Sequence, residues 1–391
     1  MRQFAEFIKE MYENRYMETM NKLHRGGGEN SCALFCLNVI PNTLAIASSL
    51  RAQQFNLNRI VSVLPPSIPN NSGVEIISLN AFNTLNPAPE YLFVDGDWDG
   101  TEFVFASQML NIDRKRIITL LSPGHISHVM KAYDSYMRHM SEIYDFYNSL
   151  IDEESRQVFL GFMLARVSGR FGDAIFADTP QYICEGFEPN VGDIFIDGGA
   201  CDGYTSALFT ERGCKVYAFE MDRKNFELAS ARGKEKGFVV ENLGLGSSNR
   251  EEHYYHVEGN IGASCLNANG NESTEIVTLD SYVAEHQLPS VDFIKLDVEG
   301  AELDILKGAA ESIKKFKPKM AISAYHKHED LWTLMPYIKS LRADYEFAFR
   351  HYPYIREEAP FLIDEHKQRM FDFFNVDGRV PSTQEGVLFC R

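Results

Sequence analysis

Four charged residues, Lys295, Asp297, Glu299 and Glu302, crowd the end of the short apolar run Phe293 to Leu296. Such a run reads as a buried strand, and open α/β sheets bind ligands outside the carboxyl ends of their strands. A second strand end of this kind lies upstream, in Ile194-Phe-Ile-Asp-Gly-Gly-Ala-Cys-Asp-Gly203. Its Asp197, Gly199 and Gly203 follow a strand and precede a helix, and glycines let a backbone approach a ligand closely. The spacing is not the dinucleotide G-x-G-x-x-G fingerprint. Glu220 ends the next strand, where an acid can accept both hydrogens of a ribose diol. These strand ends together predict a cleft for a nucleoside-bearing cofactor.

The frame that must hold these residues is bounded by composition. A chain of 391 residues predicts two to three domains. Apolar residues make up 45% and charged ones 24%, enough for two real cores. The net charge is −17, from 38 basic and 55 acidic residues, with no basic run to offset it. That excludes a phosphate-backbone partner and an anionic membrane surface. The first sixteen residues mix charge with apolar residues at helical spacing and lack the apolar core of a signal peptide. No stretch has the length of a membrane span. Seven scattered cysteines, an odd number, fit a reduced, cytoplasmic setting. Cys32 and Cys36, the one close pair, read as small residues in a buried strand rather than as a fragment of an iron–sulfur motif.

Hydrophobic patterning predicts the organisation. Residues 1–29 read as an amphipathic helix over 1–25 followed by a joint opened by Gly26-Gly27-Gly28. Residues 30–123 alternate short strands with helices, as a small parallel α/β domain does. That domain has no Gly-rich phosphate loop after its first strand. Asp95-Gly-Asp-Trp-Asp-Gly100 looks like part of a calcium loop but lacks the closing glutamate, so it reads as a strand-to-helix turn. Residues 124–180 form a helical connector whose Tyr, Met and Phe stripe is packing, and which has the composition to support a homodimer interface. Residues 181–391 restart the alternation with about seven principal strands in a doubly wound domain. Gly386 to Cys390 is its predicted final edge strand, and 351–385 is a long aromatic-rich insertion before it.

The motifs Phe195-Ile-Asp-Gly-Gly-Ala200, Val216-Tyr-Ala-Phe-Glu220, Thr278-Leu-Asp-Ser-Tyr282 and Ile294-Lys-Leu-Asp-Val-Glu-Gly-Ala-Glu302 resemble those of the FkbM family of S-adenosylmethionine-dependent methyltransferases. The resemblance covers Gln181 to Phe389, half of the chain. The family often has asparagine after Gly-Ala, where Cys201-Asp202 stand here. Tyr325-His326 resembles a branch with a Tyr-His pair ending the fifth strand, in which a domain similar to residues 30–170 comes first. The resemblance implies a seven-stranded Rossmann-like fold, S-adenosyl-L-methionine as cofactor, and O-methylation of a sugar or another secondary hydroxyl. The cofactor set is then Tyr182, Asp197, Gly199, Ala200, Asp202, Gly203, Thr205, Glu220, Asn242 and Asp297.

A hydroxyl is a poor nucleophile and must lose its proton as the new bond forms, so positioning and a general base are both needed. Asp297 and His326, at adjacent strand ends, are the candidate bases, and the ordinary histidine pKa suits the role better. Lys295 and Glu299 can orient the substrate or tune them. His326 can equally be a strand-end histidine satisfied by a backbone carbonyl. Glu302 reads as a first-turn acid stabilising its helix. No metal is expected, although Asp297, Glu299 and His326 are a carboxylate–histidine set of the kind that holds a divalent ion. The insertion, with Tyr352, Tyr354, Arg356, Phe361, Phe373 and Phe374, is expected to stack on a sugar face of the acceptor; its other reading is a small helix, Asp364–Phe373, capping the sheet edge. That acceptor is a small molecule or glycan, with nucleotide- or lipid-linked forms open, and the first domain either docks it or mediates assembly. Two other readings stay open: a nicotinamide-dependent oxidoreductase, whose ribose Glu220 would also hold, and a non-catalytic Rossmann-like binding or scaffold protein.

Overall fold

A computed structural model describes residues 2–25, 31–66, 68–94, 101–121, 123–255, 265–266, 270, 272–355, 365–376, 379–380, 385 and 386–391. The chain forms two compact units, each assembled from separated stretches. The first contains residues 1–138, 157–176 and 353–383, and the second residues 139–156, 177–352 and 384–391. The stretch expected as a connector is thus divided between the units. The glycine joint and the Asp95–Gly100 turn lie outside the described residues.

The first unit is built on a five-stranded parallel sheet. Its strands are β1 (Cys32–Cys36), β2 (Leu57–Ser62), β3 (Glu75–Ser78), β4 (Tyr91–Val94) and β5 (Ile117–Thr119), in the order β3-β2-β1-β4-β5. A parallel sheet is covered on both faces, so its central strands are apolar throughout. β1 shows this: Ala33 and Phe35 enter one core cluster, Cys32, Leu34 and Cys36 the other. Both cysteines are therefore packing residues. The N-terminal segment is two helices, Arg2–Asn14 and Tyr16–Arg25, where one was expected.

The aromatic insertion departs further from expectation. Met370 and Phe371, on the helix Glu365–Phe374, and Val380 belong to the core of the first unit. The Phe371 ring packs 4.9 Å from that of Phe105. Of the residues expected to face a sugar, Tyr352 is instead a core residue of the second unit whose hydroxyl donates to the Ile183 carbonyl at 2.8 Å, while Phe373 is 80% exposed. Arg356 and Phe361 lie outside the described residues.

The second unit carries a seven-stranded sheet: β6 (Ile194–Gly198), β7 (Lys215–Phe219), β8 (Val239–Glu241), β9 (Phe293–Leu296), β10 (Lys319–Ser323), β11 (Phe347–His351) and β12 (Gly386–Cys390). The order is β11-β12-β10-β9-β6-β7-β8, and β12 alone runs antiparallel to both its neighbours. The expected edge strand is therefore an interior one. Its five residues are all buried, and it pairs with β10 on one side and β11 on the other. Phe195, Phe209 and Phe293 stack beneath the central strands, with centroids 4.5 and 4.9 Å apart along the stack. A separate four-stranded sheet, Gly244–Leu245, Arg250–Tyr255, Cys265–Leu266 and Glu272–Val277, lies between β8 and β9 in sequence. After β9 come two short helices, Glu302–Gly308 and Ala310–Phe316. Among the described residues, no helix is long and apolar enough to cross a membrane.

Candidate active site

The site gathers at the carboxyl ends of β6, β7, β9 and β10. On β6, Asp197 is fully buried and committed on both oxygens: Ser206 Oγ donates to it at 2.6 Å and Lys295 Nζ lies at 2.9 Å. Lys295, from β9, also donates to the carbonyls of Gly199 at 2.7 Å and Gly198 at 3.3 Å. Burial works against its charge, but Asp197 and Asp297 outweigh it and raise its pKa. Lys295 and Asp197 form an internal brace tying β9 to the glycine turn, and of the two roles expected of Lys295 its burial favours tuning Asp297 over orienting a substrate.

That turn is held by its own chain. Gly199 has φ +77°, and a Cβ there would lie 1.9 Å from the carbonyl oxygen of Asp297. The close approach expected toward a ligand is made toward the neighbouring strand end. The Gly199 and Ala200 amides both donate to the Phe219 carbonyl, which docks the turn against β7. Gly203 (φ +80°) then opens the helix Tyr204–Glu211, whose first turn contains Thr205. Asp202 accepts from the Tyr204 amide and pairs with Arg232 at 2.8 Å.

Glu220, just past β7, is 6% exposed. Its two oxygens accept the backbone amides of Cys201 at 2.7 Å and Asp222 at 2.8 Å. Burial nonetheless pushes its carboxyl up to about 7. Asn242 donates its side-chain amide to the Glu220 and Met221 carbonyls at 2.9 and 3.2 Å. It shapes the turn that presents Glu220.

Asp297 follows β9. Tyr182 donates to its Oδ2 at 2.6 Å, and Tyr325 to its Oδ1 at 3.1 Å. Burial would raise its pKa, but Lys295, His326 and the Tyr182 hydrogen bond outweigh that and lower it. His326, just past β10, donates from Nδ1 to Glu302 at 2.7 Å. Its Nε2 lies 3.5 Å from Asp297 and 3.6 Å from Glu299. Burial opposes protonation of the ring, yet Glu299, Glu302 and Asp297 overcome it and raise the pKa to about 11. The partners of the ring are thus carboxylates, not the backbone carbonyl of its other reading.

Glu302 is a second correction. It does begin a helix, but it is fully buried and accepts the Val298 amide at 3.1 Å as well as the His326 ring. It belongs to the site. Tyr325 and Glu385 were also missed; Glu385 accepts from Gln181. Four non-glycine residues here, Tyr182, Cys201, Glu299 and Glu385, have φ between +53° and +63°. Such backbone strain concentrates at functional sites and costs on the order of 1–3 kcal/mol per residue. The only sequence signal for Tyr325 was its place beside His326.

The family model described as the methyltransferase FkbM domain matches residues 197–355. Among solved structures, methyltransferase FkbM from Methylobacillus flagellatus KT is 18% identical, with a TM-score of 0.60 over 99% of this chain and 98% of its own. An rRNA methylase from Streptococcus thermophilus is 14% identical over 51% of this chain and 86% of its own, with a TM-score of 0.29. Aeropyrum pernix fibrillarin, solved with natively bound S-adenosyl-L-methionine, is 10% identical over 52% and 67%, with a TM-score of 0.29. The first of these shares the fold; the other two scores are too low to define one. No curated protein matches the chain.

The family match defines a methyltransferase domain. Residues 197–355 match the methyltransferase FkbM domain. The oxidoreductase and scaffold readings are thereby set aside.

Proposed function

We propose that the protein transfers a methyl group from S-adenosylmethionine to a hydroxyl of a sugar, glycan or sugar-containing metabolite. The observation that carries the cofactor half is Glu220. It is a buried carboxylate whose oxygens already collect two amide hydrogens beside the glycine turn, and a ribose diol brings two further hydroxyl donors of the kind it accepts. Glu220, the Cys201 amide and the Asn242-supported turn would hold the nucleoside. When bound, the cofactor supplies a sulfonium whose methyl group is strongly electrophilic.

The acceptor half rests on Asp297, Glu299 and His326. The carboxylates can accept a hydroxyl's hydrogen bond and fix its oxygen, which is the positioning that such a transfer demands. Glu299 is the most exposed of the three, so it is the one an acceptor meets first. A dense carboxylate cluster also favours a neutral, polyhydroxylated acceptor over an anionic one.

The test is calorimetric titration with S-adenosylmethionine and S-adenosylhomocysteine, repeated on Glu220→Ala. We expect micromolar binding that the substitution weakens at least a hundredfold. A native protein that binds neither compound would overturn the reading. A screen of sugar acceptors by methyl-release assay then follows on the native protein.

A further inference from the structure

We infer that Asp297, Glu299 and His326 form a site for a divalent transition-metal ion, with Glu302 as the group that orients the histidine. Four observations carry this. First, His326 Nε2 faces Asp297 Oδ1 at 3.5 Å and Glu299 Oε1 at 3.6 Å, too far for good hydrogen bonds. Two donors bound about 2.1 Å from one ion at a tetrahedral angle stand roughly 3.4 Å apart. Second, Nε2 is buried and makes no hydrogen bond, on a side chain only 8% exposed. Third, the other ring nitrogen is fixed by Glu302, itself fully buried and held by the Val298 amide. That is the carboxylate–histidine–metal arrangement, which sets the tautomer and turns the free nitrogen's lone pair toward the ion. Fourth, Asp297 is held in place by two tyrosine hydroxyls, as ligating carboxylates commonly are.

Among the described residues, the group whose potential ligand atoms all lie within 4.8 Å of one another is Asp297, Glu302 and His326; Glu299, 37% exposed, is not in it and must turn toward the ion to complete the proposed set. One imidazole nitrogen and two carboxylate oxygens suit Mn²⁺, Fe²⁺, Co²⁺ or Zn²⁺ better than Mg²⁺ or Ca²⁺. Three protein ligands leave a coordination position open. Resting on the function proposed above, that position is where the acceptor hydroxyl would bind. A bound ion lowers the pKa of such an oxygen, with the released proton passing to water.

The experiment uses the full-length protein, stripped with EDTA and dialysed. Co²⁺ is titrated and followed by its visible absorption, and Mn²⁺ and Zn²⁺ by calorimetry. We expect saturable 1:1 binding, lost in His326→Ala and weakened at least tenfold in Glu299→Gln, whose partly exposed side chain can change without disturbing the core. Glu302→Gln should weaken binding about 10- to 100-fold, the usual effect of losing such a partner. Metal should also raise the melting midpoint of the native protein and not that of His326→Ala. No saturable binding by the native protein, or unchanged binding in His326→Ala, would overturn the inference. S-adenosylhomocysteine is titrated on the same samples. Homocysteine-compound binding without metal binding sinks this site alone, and metal binding alone sinks the proposed function while leaving the site standing.

Discussion

At the scale of single residues, Glu220 links cofactor binding to pH. Its carboxyl is raised to about 7 by burial, above the ordinary 4.5. Ionised, it accepts hydroxyl hydrogens on both oxygens; protonated, it does not. Cofactor affinity should therefore fall by about tenfold per pH unit below about 7 and be flat above it, and Glu220→Gln should abolish the slope. The sign for stability is the reverse. A carboxyl with a raised folded-state pKa makes the cofactor-free protein lose stability as pH climbs from about 4.5 to about 7, and none below. The rise in melting midpoint on adding S-adenosylhomocysteine should thus be larger at pH 8 than at pH 6. The Asp197–Lys295 pair makes a second prediction. Removing one partner leaves an uncompensated buried charge, so Lys295→Met should cost about 3–5 kcal/mol in urea denaturation. A smaller cost would return Lys295 to the substrate-facing role first expected of it. Sequence made the positions of Glu220, Asp297 and His326 legible because strand-end acids follow apolar runs. It could not show that three carboxylates converge on one imidazole, because Glu302 and His326 are distant in the chain. A helix-starting glutamate also looks the same whether it faces water or a core.

Elements carry a different lesson. β6, β7, β9 and β10 were legible because a buried parallel strand is an unbroken apolar run with a turn after it. The place of β12 was not, since Gly386 to Cys390 would read the same at an edge or in the interior. Tyr352 misled for a related reason: aromatic residues suit a core and a sugar pocket equally well. Phe371 separates the two readings. Phe371→Ala should destabilise the protein by about 3–5 kcal/mol, as loss of a buried ring does, and leave acceptor KM unchanged. A raised KM at unchanged stability would restore the pocket. Arg350 makes another element-level prediction. From β11 it donates to Ser155 at 2.7 Å and Glu154 at 2.8 Å, pinning the start of the helix Glu153–Ser168. Arg350→Met should lower stability by about 2–3 kcal/mol, measured by thermal unfolding.

For the whole molecule, the chain passes between the units after residues 138, 156, 176, 352 and 383. Two domains in series, the simplest expectation from length, would cross once. Composition could not reveal the difference, because each returning segment has ordinary core chemistry and one crossing falls inside the helix Glu153–Ser168. Expression of residues 181–391 alone should therefore give a fragment that melts well below the intact protein or fails to fold. It lacks the Ile151 amide that bonds the Phe347 carbonyl and the Ser155 hydroxyl that bonds Arg350. A fragment as stable as the whole would show that residues 139–156 add nothing to the second unit.

The interior position of β12 also bears on synthesis at the ribosome. Chains emerge from the amino terminus at roughly 5–20 residues per second and fold as their segments appear. When β11 has emerged, β10 and β11 each still wait for the strand that belongs between them, and residues 353–383 must be made before that strand arrives. During that interval the nascent sheet presents open hydrogen-bonding edges, the surfaces through which strands of different chains pair by mistake. Crowded polysomes would thus bring together many copies of the same incomplete sheet, and slowing translation across the insertion would lengthen their exposure.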